Sequence, residues 1–167
     1  FKKNKNYFNA EINFEKLKIK ILPEPLPRTA EFITGYLDIM EVPNSEFPLW
    51  ASDSTFNKQI MYSNDLNIYY IGMNCERPPF NNKIVRQAMN YAINSRSIIK
   101  NILHDNASKA SSPIPPQLLN NKTYSKYEYN PQKARNLLDE AGYPNGFFVE
   151  LWQGNSDQVS YITEAIQ

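Results

Sequence analysis

Two adjacent prolines, Pro78 and Pro79, split the best-patterned stretch of this chain into a part that must run extended and a part free to coil. Proline has no backbone N–H and pushes the residue before it out of the α region, so the connection around Arg77 stays extended. Upstream, residues 66–73 include Ile68, Tyr69, Tyr70 and Ile71, β-branched or aromatic and apolar on both faces. That composition predicts an interior strand. Downstream, Asn81 or Asn82 can cap a helix in which Ile84, Val85, Ala88, Met89, Ala92 and Ile93 recur at three-and-four spacing. Such spacing puts them on one face, with Ala88 in the core.

Other signals divide the remaining chain. Residues 14–22 alternate with Lys16, Lys18 and Lys20 on one side, the period of a half-solvated strand. Pro23, Pro25 and Pro27 stop it, residues 28–34 read as a short helix closed by Gly35, and residues 36–42 as a strand ended by Pro43. One helical turn fits around Leu49 and Trp50. Residues 56–62 and 66–73 flank the turn formers Ser63, Asn64 and Asp65, which makes them candidate neighbouring strands. Asn94 can cap a second helix with Ile98, Ile99, Ile102 and Leu103 on its apolar side, and residues 105–121 read as loop. Asn130 as cap, Pro131 in the first turn and Gly142 past the end bracket a third helix, with Leu138 inward and Arg135 and Asp139 paired on the solvent side. A strand is expected over 147–152 and a helix from Asp157. Lys2, Lys3, Lys5, Tyr7 and Phe8 read as a frayed, solvated terminus rather than a basic-aromatic patch.

With 167 residues, 41% hydrophobic and 21% charged, the chain can bury a core as one domain or as pieces of two. A net charge of +1 creates no field to recruit nucleic acid or an acidic membrane. Cys75 is alone, so an internal disulfide and a cysteine-based metal cluster are both excluded. One His and one Cys give no zinc-ligand spacing, and no glycine-rich loop is present to cradle a phosphate. His104 next to Asp105 is the one histidine–acid pair, but adjacency does not orient a triad, and a histidine at a helix end has a simpler role there. Arg77, Arg86 and Arg96 read as structural ion pairs or caps. The 11 Tyr, 9 Phe and 2 Trp, mostly core, also suit a buried yet hydrogen-bonded ligand.

The wording of the central stretch goes further than its periodicity. Asn74, Pro79-Phe80, Val85-Arg86-Gln87-Ala88 and Tyr91-Ala92-Ile93, then Arg96 and Ile99, resemble the extracytoplasmic solute-binding proteins of family 5. These are the oligopeptide-, dipeptide- and nickel-binding proteins of bacterial ABC importers. Ser112-Pro113-Ile114-Pro115-Pro116 is similar to the family's proline turn. Tyr129-Asn130-Pro131, Lys133-Ala134, Leu137-Leu138, Glu140-Ala141-Gly142-Tyr143-Pro144 and Gly146-Phe147 resemble its following helix and turn. Leu17 to Ile21, Gly35, Asp38, Ile39 and Pro43 resemble the segment before the hinge, so the likeness covers nearly the whole chain.

The resemblance implies an α+β fold: a fragment of a two-lobed periplasmic-binding-protein-like fold (type II), with a mixed sheet and flanking helices. Residues 1–65 would end the first lobe and approach the hinge; residues 66–167 would form the hinge strand and the N-terminal half of the large second lobe. A start at Phe1 and an end inside a helix suggest a portion of something longer. The implied function is capture of a peptide-like solute or metal chelate outside the cytoplasmic membrane, for delivery to an ABC permease. No cofactor, metal or catalytic residue is implied, and a membrane enters only through the permease or a lipid anchor. Carried over by position, the ligand-facing residues are Met40, Glu41, Tyr70 and Gly72, with Gly72 enlarging the space where peptide binders place a side chain. Two rival readings stay open: a hydrolase using His104, and an α+β interaction domain without a small ligand.

Overall fold

A computed structural model describes residues 1–4, 6–8, 13–118, 127–154 and 156–167. Lys5 of the N-terminal patch and the end of the loop at 119–121 lie outside the described residues. Contacts group the chain into two units, Phe1–Pro43 and Asn44–Gln167.

The first unit is built around α1 (Pro25–Ile33), which starts on a proline, where the missing N–H costs nothing. It starts three residues before the sequence expectation, because Pro25 and Pro27 fall in the first turn and open the helix instead of stopping a strand. Gly35 (φ +79°) closes it: its N–H donates to Phe32 O (3.0 Å) and that of Tyr36 to Glu31 O (2.8 Å). This double bond pattern needs a left-handed residue at the turn. Lys20 reaches α1 at Glu31 (2.5 Å). The N-terminus is tied down, not frayed: the Phe1 ammonium donates to Leu17 O (2.7 Å), and Lys2 and Lys16 form an isolated antiparallel bridge.

The second unit opens with α2 (Phe47–Ser52), the turn expected around Leu49 and Trp50. Trp50 is buried and stacks on Phe56 at 4.5 Å. Asp53 sets the turn between them: its carboxylate accepts from the N–H of Thr55 (2.8 Å) and Phe56 (2.9 Å). Bonds to the charged form, first from Phe56 and then from Thr55, hold this carboxyl below its ordinary value of 3.8.

Next come α3 (Lys83–Ala92) and α4 (Ser95–Asn101), each capped by the asparagine before it. Asn82 Oδ1 accepts from Ile84 N–H (2.8 Å) and Asn94 Oδ1 from Ser97 N–H (3.1 Å). Helix α5 (Pro131–Glu140) begins at the Asn130 cap (2.9 Å to Lys133 N–H) and ends at Gly142 (φ +86°). There the N–H groups of Gly142 and Tyr143 return to Asp139 O and Leu138 O. Helix α6 (Asp157–Glu164) follows, capped by Ser156.

Helices α3 and α5 pack on each other, with Val85, Ala88 and Ala134 buried. The end of α3 meets the start of α5: Asn130 N–H donates to Tyr91 O (2.9 Å), and Lys133 Nζ donates to Tyr91 Oη (2.8 Å) while sitting 4.2 Å from its ring centroid. At the other end, Phe80 before α3 meets Phe147 after α5 edge-on at 5.9 Å, and Tyr143 meets Phe147 at 5.3 Å. The two helices are therefore antiparallel and fastened at both ends.

The expected mixed sheet is overturned. Among the described residues the backbone forms helices, turns and extended segments, and the isolated bridge at Lys2 is its one β pairing. Residues 14–22, 36–42, 66–73 and 147–152 run without a ladder, and 56–62 contains a 3-10 turn at Asn57–Gln59. Alternation and β-branching say that a segment suits a pleated surface; a strand also requires a neighbouring backbone to pair with. Among the described residues, the one bridge of Lys16 to Lys2 is all the backbone pairing these segments find, too little for a ladder. The interior position expected for 66–73 fails for the same reason, since Leu66, Tyr69 and Tyr70 are exposed.

Ala88 is buried as its spacing predicts, whereas Leu138 is only half-buried, and Arg135 and Asp139 form no ion pair. Val85→Ala should therefore cost roughly 2 to 3 kcal/mol in denaturant unfolding, from lost transfer energy plus a cavity. Leu138→Ala should cost less, about 1 to 2 kcal/mol; the reverse order would mean that the helix face is misassigned. For Asp53, the folded carboxyl titrates below its unfolded value, so its contribution is present above the unfolded pKa and is lost as pH falls through the folded one. Carboxyl-detected NMR should give an Asp53 midpoint below 3.8, and a midpoint above that would contradict the turn.

Candidate functional site

The four positions taken as ligand-facing fall in two places. Met40 (half-buried) and Glu41 (exposed) follow α1 in the Phe1–Pro43 unit; Tyr70 and Gly72 lie on the extended segment before Pro78 in the Asn44–Gln167 unit. Tyr70 is 81% exposed. A Cβ built on Gly72 would meet only the Tyr70 ring, at 3.8 Å, and the Gly72 backbone is one that any L residue adopts. Position 72 is thus open space beside an aromatic ring. The extended segment ends at Asn74, and the connection around Arg77, expected to stay extended, is instead a series of turns: Arg77 N–H donates to Asn74 O (3.4 Å) and Asn81 N–H to Arg77 O (2.9 Å), because each proline removes a donor but leaves its carbonyl free to accept, and the turns lead to the Asn82 cap of α3.

His104 lies on an open cleft of about 470 Å³ that also exposes Asn44, Tyr161 and Glu164. Asn44 spans its floor, donating from Nδ2 to Ile102 O (2.5 Å). His104 and Asp105 both take left-handed backbone angles (φ +48° and +61°) in the turn that ends α4. Among the described residues no hydrogen bond or ion pair reaches the His104 side chain, so no acid orients it as a base. Nor do three or more His, Cys, Asp or Glu side chains converge on one point among those residues.

Two of the three arginines are structural. Arg86 donates to Phe80 O (2.6 Å) and Asn81 O (3.2 Å), closing the turn before α3, and Arg96 pairs with Glu128 (3.1 Å) in solvent. Arg77 is exposed, and among the described residues its side chain has no hydrogen-bond or ion-pair partner. One group carries no signal in the sequence: Tyr91, Tyr127 and Lys133, with Lys109 donating to Tyr127 O beside Glu128. Its members are scattered from 91 to 133, and no local spacing signals their meeting. Among the described residues no helix is long and apolar enough to cross a membrane. Among the described residues the arrangement offers open aromatic surface.

Comparison with known proteins gives this geometry a context. Heme-binding protein A of Haemophilus influenzae is 35% identical over 151 residues, which is 89% of this chain and 27% of that protein. Among solved structures, the ABC transporter-associated periplasmic binding protein DppA from Helicobacter pylori, in complex with the peptide STSA, is similar at a TM-score of 0.67 and 29% identity. That match covers 87% of this chain and 28% of DppA. NikZ from Campylobacter jejuni, in complex with Ni(L-His), is similar at a TM-score of 0.61 and 28% identity, over 84% of this chain and 28% of NikZ. The chain thus spans little more than a quarter of the length of these relatives. The pattern of the bacterial extracellular solute-binding proteins, family 5 (middle region), matches residues 1–167. Matched along its whole length, the chain belongs to the bacterial extracellular solute-binding proteins of family 5.

Proposed function

We propose that the whole protein captures a peptide-like solute or a metal chelate outside the cytoplasmic membrane and hands it to an ABC permease, with no covalent chemistry. The observation that carries this is the family match over all 167 residues. A relative named for haem shares this chain's sequence, and structures holding a peptide and a nickel–histidine complex share its path, which supports reading the scaffold as a general holder whose ligand is set at a few positions. Met40, Glu41, Tyr70 and Gly72 are our candidates for those positions. An aromatic ring beside an open glycine suits a flat or bulky group, because the ring supplies apolar area and its hydroxyl a hydrogen bond. The permease is the partner, and the protein works in the periplasm or outside the cell, with a lipid anchor as one arrangement. The unpartnered state of His104 speaks against the hydrolase reading.

Affinity in such a binder comes from enclosing the ligand between two lobes, which removes water and strengthens each hydrogen bond. A mixed peptide pool should therefore raise the Tm of the full-length protein, by about 2.7 kcal/mol of stability when free solute is 100 times Kd. No shift with peptides, haem or nickel chelates would overturn the proposal. The 167-residue chain alone should give no saturable heat in calorimetry with the same pool, and a micromolar isotherm would show that one piece suffices. In the full-length protein, Gly72→Ala should leave Tm within about 2 °C, since nothing stands closer than the Tyr70 ring. Gly72→Trp should weaken the solute at least about tenfold, or roughly 1.4 kcal/mol. Equal affinity for Gly72→Trp and wild type would remove Gly72 from the site. His104→Ala should leave binding unchanged; a lost turnover would favour an enzyme.

A further inference from the structure

The chain as a whole carries a net charge of only +1, yet the fold gathers cations from distant positions into one part of the Asn44–Gln167 unit. Lys133 sits over the Tyr91 ring, Tyr91 meets Tyr127 edge-on at 5.0 Å, and the Tyr127 carbonyl accepts from Lys109. Glu128, next in the chain, is held from two sides: Arg96 Nη2 lies 3.1 Å from its Oε2 and Lys109 Nζ 3.5 Å from its Oε1. Lys100 joins Arg96 on an open cleft of about 520 Å³ that Glu128 and Tyr129 also line. Among these groups Glu128 is the one carboxylate, so positive charge is left over. The cleft also has donors to spare. Asn94 Oδ1 is spent on the cap of α4, and Asn101 Nδ2 donates to Ser97 Oγ (3.0 Å), which leaves the Ser97 hydroxyl its own proton to give. Among the described residues Lys100 forms no ion pair, and Arg96, a fork of five N–H donors, has one nitrogen on Glu128.

We propose that this cleft is a docking site for clustered acidic side chains of a partner protein, received by Arg96 and Lys100. Glu128 already shows the chemistry, since one carboxylate is held there by two cations; a second would find Lys100 and the remaining donors of Arg96. The two cations stand one turn apart on α4, close enough for neighbouring acids of one segment to meet one each. A guanidinium fork matches a carboxylate bidentately, which rewards a planar acid over a point charge. The Arg96–Glu128 pair is open to solvent, with side-chain exposures of 78% and 56%, so it holds weakly and its donors are easily shared with an incoming acid. An anionic lipid surface fits less well. It calls for several cations projecting together, whereas the Lys109 side chain is only 23% exposed and Lys133 is engaged with Tyr91, which leaves Arg96 and Lys100 to project. The inference does not depend on which solute the protein captures.

The test is fluorescence anisotropy of a labelled carrier protein ending in a run of glutamates, titrated with the full-length protein at low ionic strength; the same carrier ending in glutamines is the control. The glutamate tail should bind saturably and the glutamine tail should not, and binding should weaken as ionic strength rises from about 50 to about 300 mM. The double variant Arg96→Gln, Lys100→Gln should weaken the tail at least about fivefold with thermal unfolding unchanged, because both side chains are exposed. Lys58→Gln, which removes an exposed cation elsewhere in the same unit, should leave it unchanged. No binding by the wild type, or equal binding by the wild type and the double variant, overturns the proposal. So does displacement of the tail by a pool of uncharged peptides, which would place it in the solute site, or by millimolar succinate at constant ionic strength, which would reduce the cleft to a small-anion site. Capture of the wild type but not the double variant by phosphatidylglycerol vesicles, with no binding of the tail, would assign the cations to a lipid surface instead.

Discussion

The packing of α3 against α5 is the contact on which the rest of the Asn44–Gln167 unit depends. The side chains buried on these two helices are small or compact: Val85, Ala88 and Ala134. Small residues at a crossing let the helix axes come close, so much backbone is shielded for little side-chain entropy. Such a core is thin. It is kept in register by its ends, with Lys133 held by Tyr91 at one and the Phe80, Phe147 and Tyr143 rings at the other. The polar clasp is exposed, so its share is modest, about 0.5 to 1 kcal/mol for the cation over the ring. The aromatic end adds apolar burial as well as edge-to-face geometry.

That pair connects the fold to function through covalent order. Tyr70 and Gly72 sit just upstream of Pro78 and Pro79, and Arg86 locks the turn after those prolines by donating to Phe80 O and Asn81 O. A helix clamped at both ends gives the exposed segment a fixed root at its downstream end. The proposed function would call for that combination, because in a hinged binder the side chains that meet a solute must be reachable while open and positioned while closed. The relatives are named for haem or solved with a peptide or a nickel–histidine complex.

What the sequence made legible was whatever is decided within one turn of chain. Asn82, Asn94 and Asn130 were readable as caps because an N-cap bond spans two or three residues, and Gly35 and Gly142 as stops because a left-handed turn nearly requires glycine. The start of α1 is ambiguous in sequence because Pro25 and Pro27 can open a helix as well as end a strand. The expected strands failed because pairing is a property of two backbones, and periodicity in 66–73 or 147–152 describes only one. Leu138 was placed too deep for a similar reason, since helical spacing gives a face but not the width of what covers it. The Phe80–Phe147 contact links residues far apart in sequence and leaves no local trace. The ligand-facing set came from the family likeness alone; nothing in the spacing of Met40, Glu41, Tyr70 and Gly72 marks it.

If α3 and α5 are the shared centre of the unit, they must open together. Native-state hydrogen exchange across a series of denaturant concentrations measures this directly. The amides of α3 and α5 should show the slowest exchange in the Asn44–Gln167 unit, with the same opening free energy and the same denaturant dependence, while α2 and α6 exchange through smaller, earlier openings. An α3 that stays protected while α5 exchanges freely, or the reverse, would contradict the account.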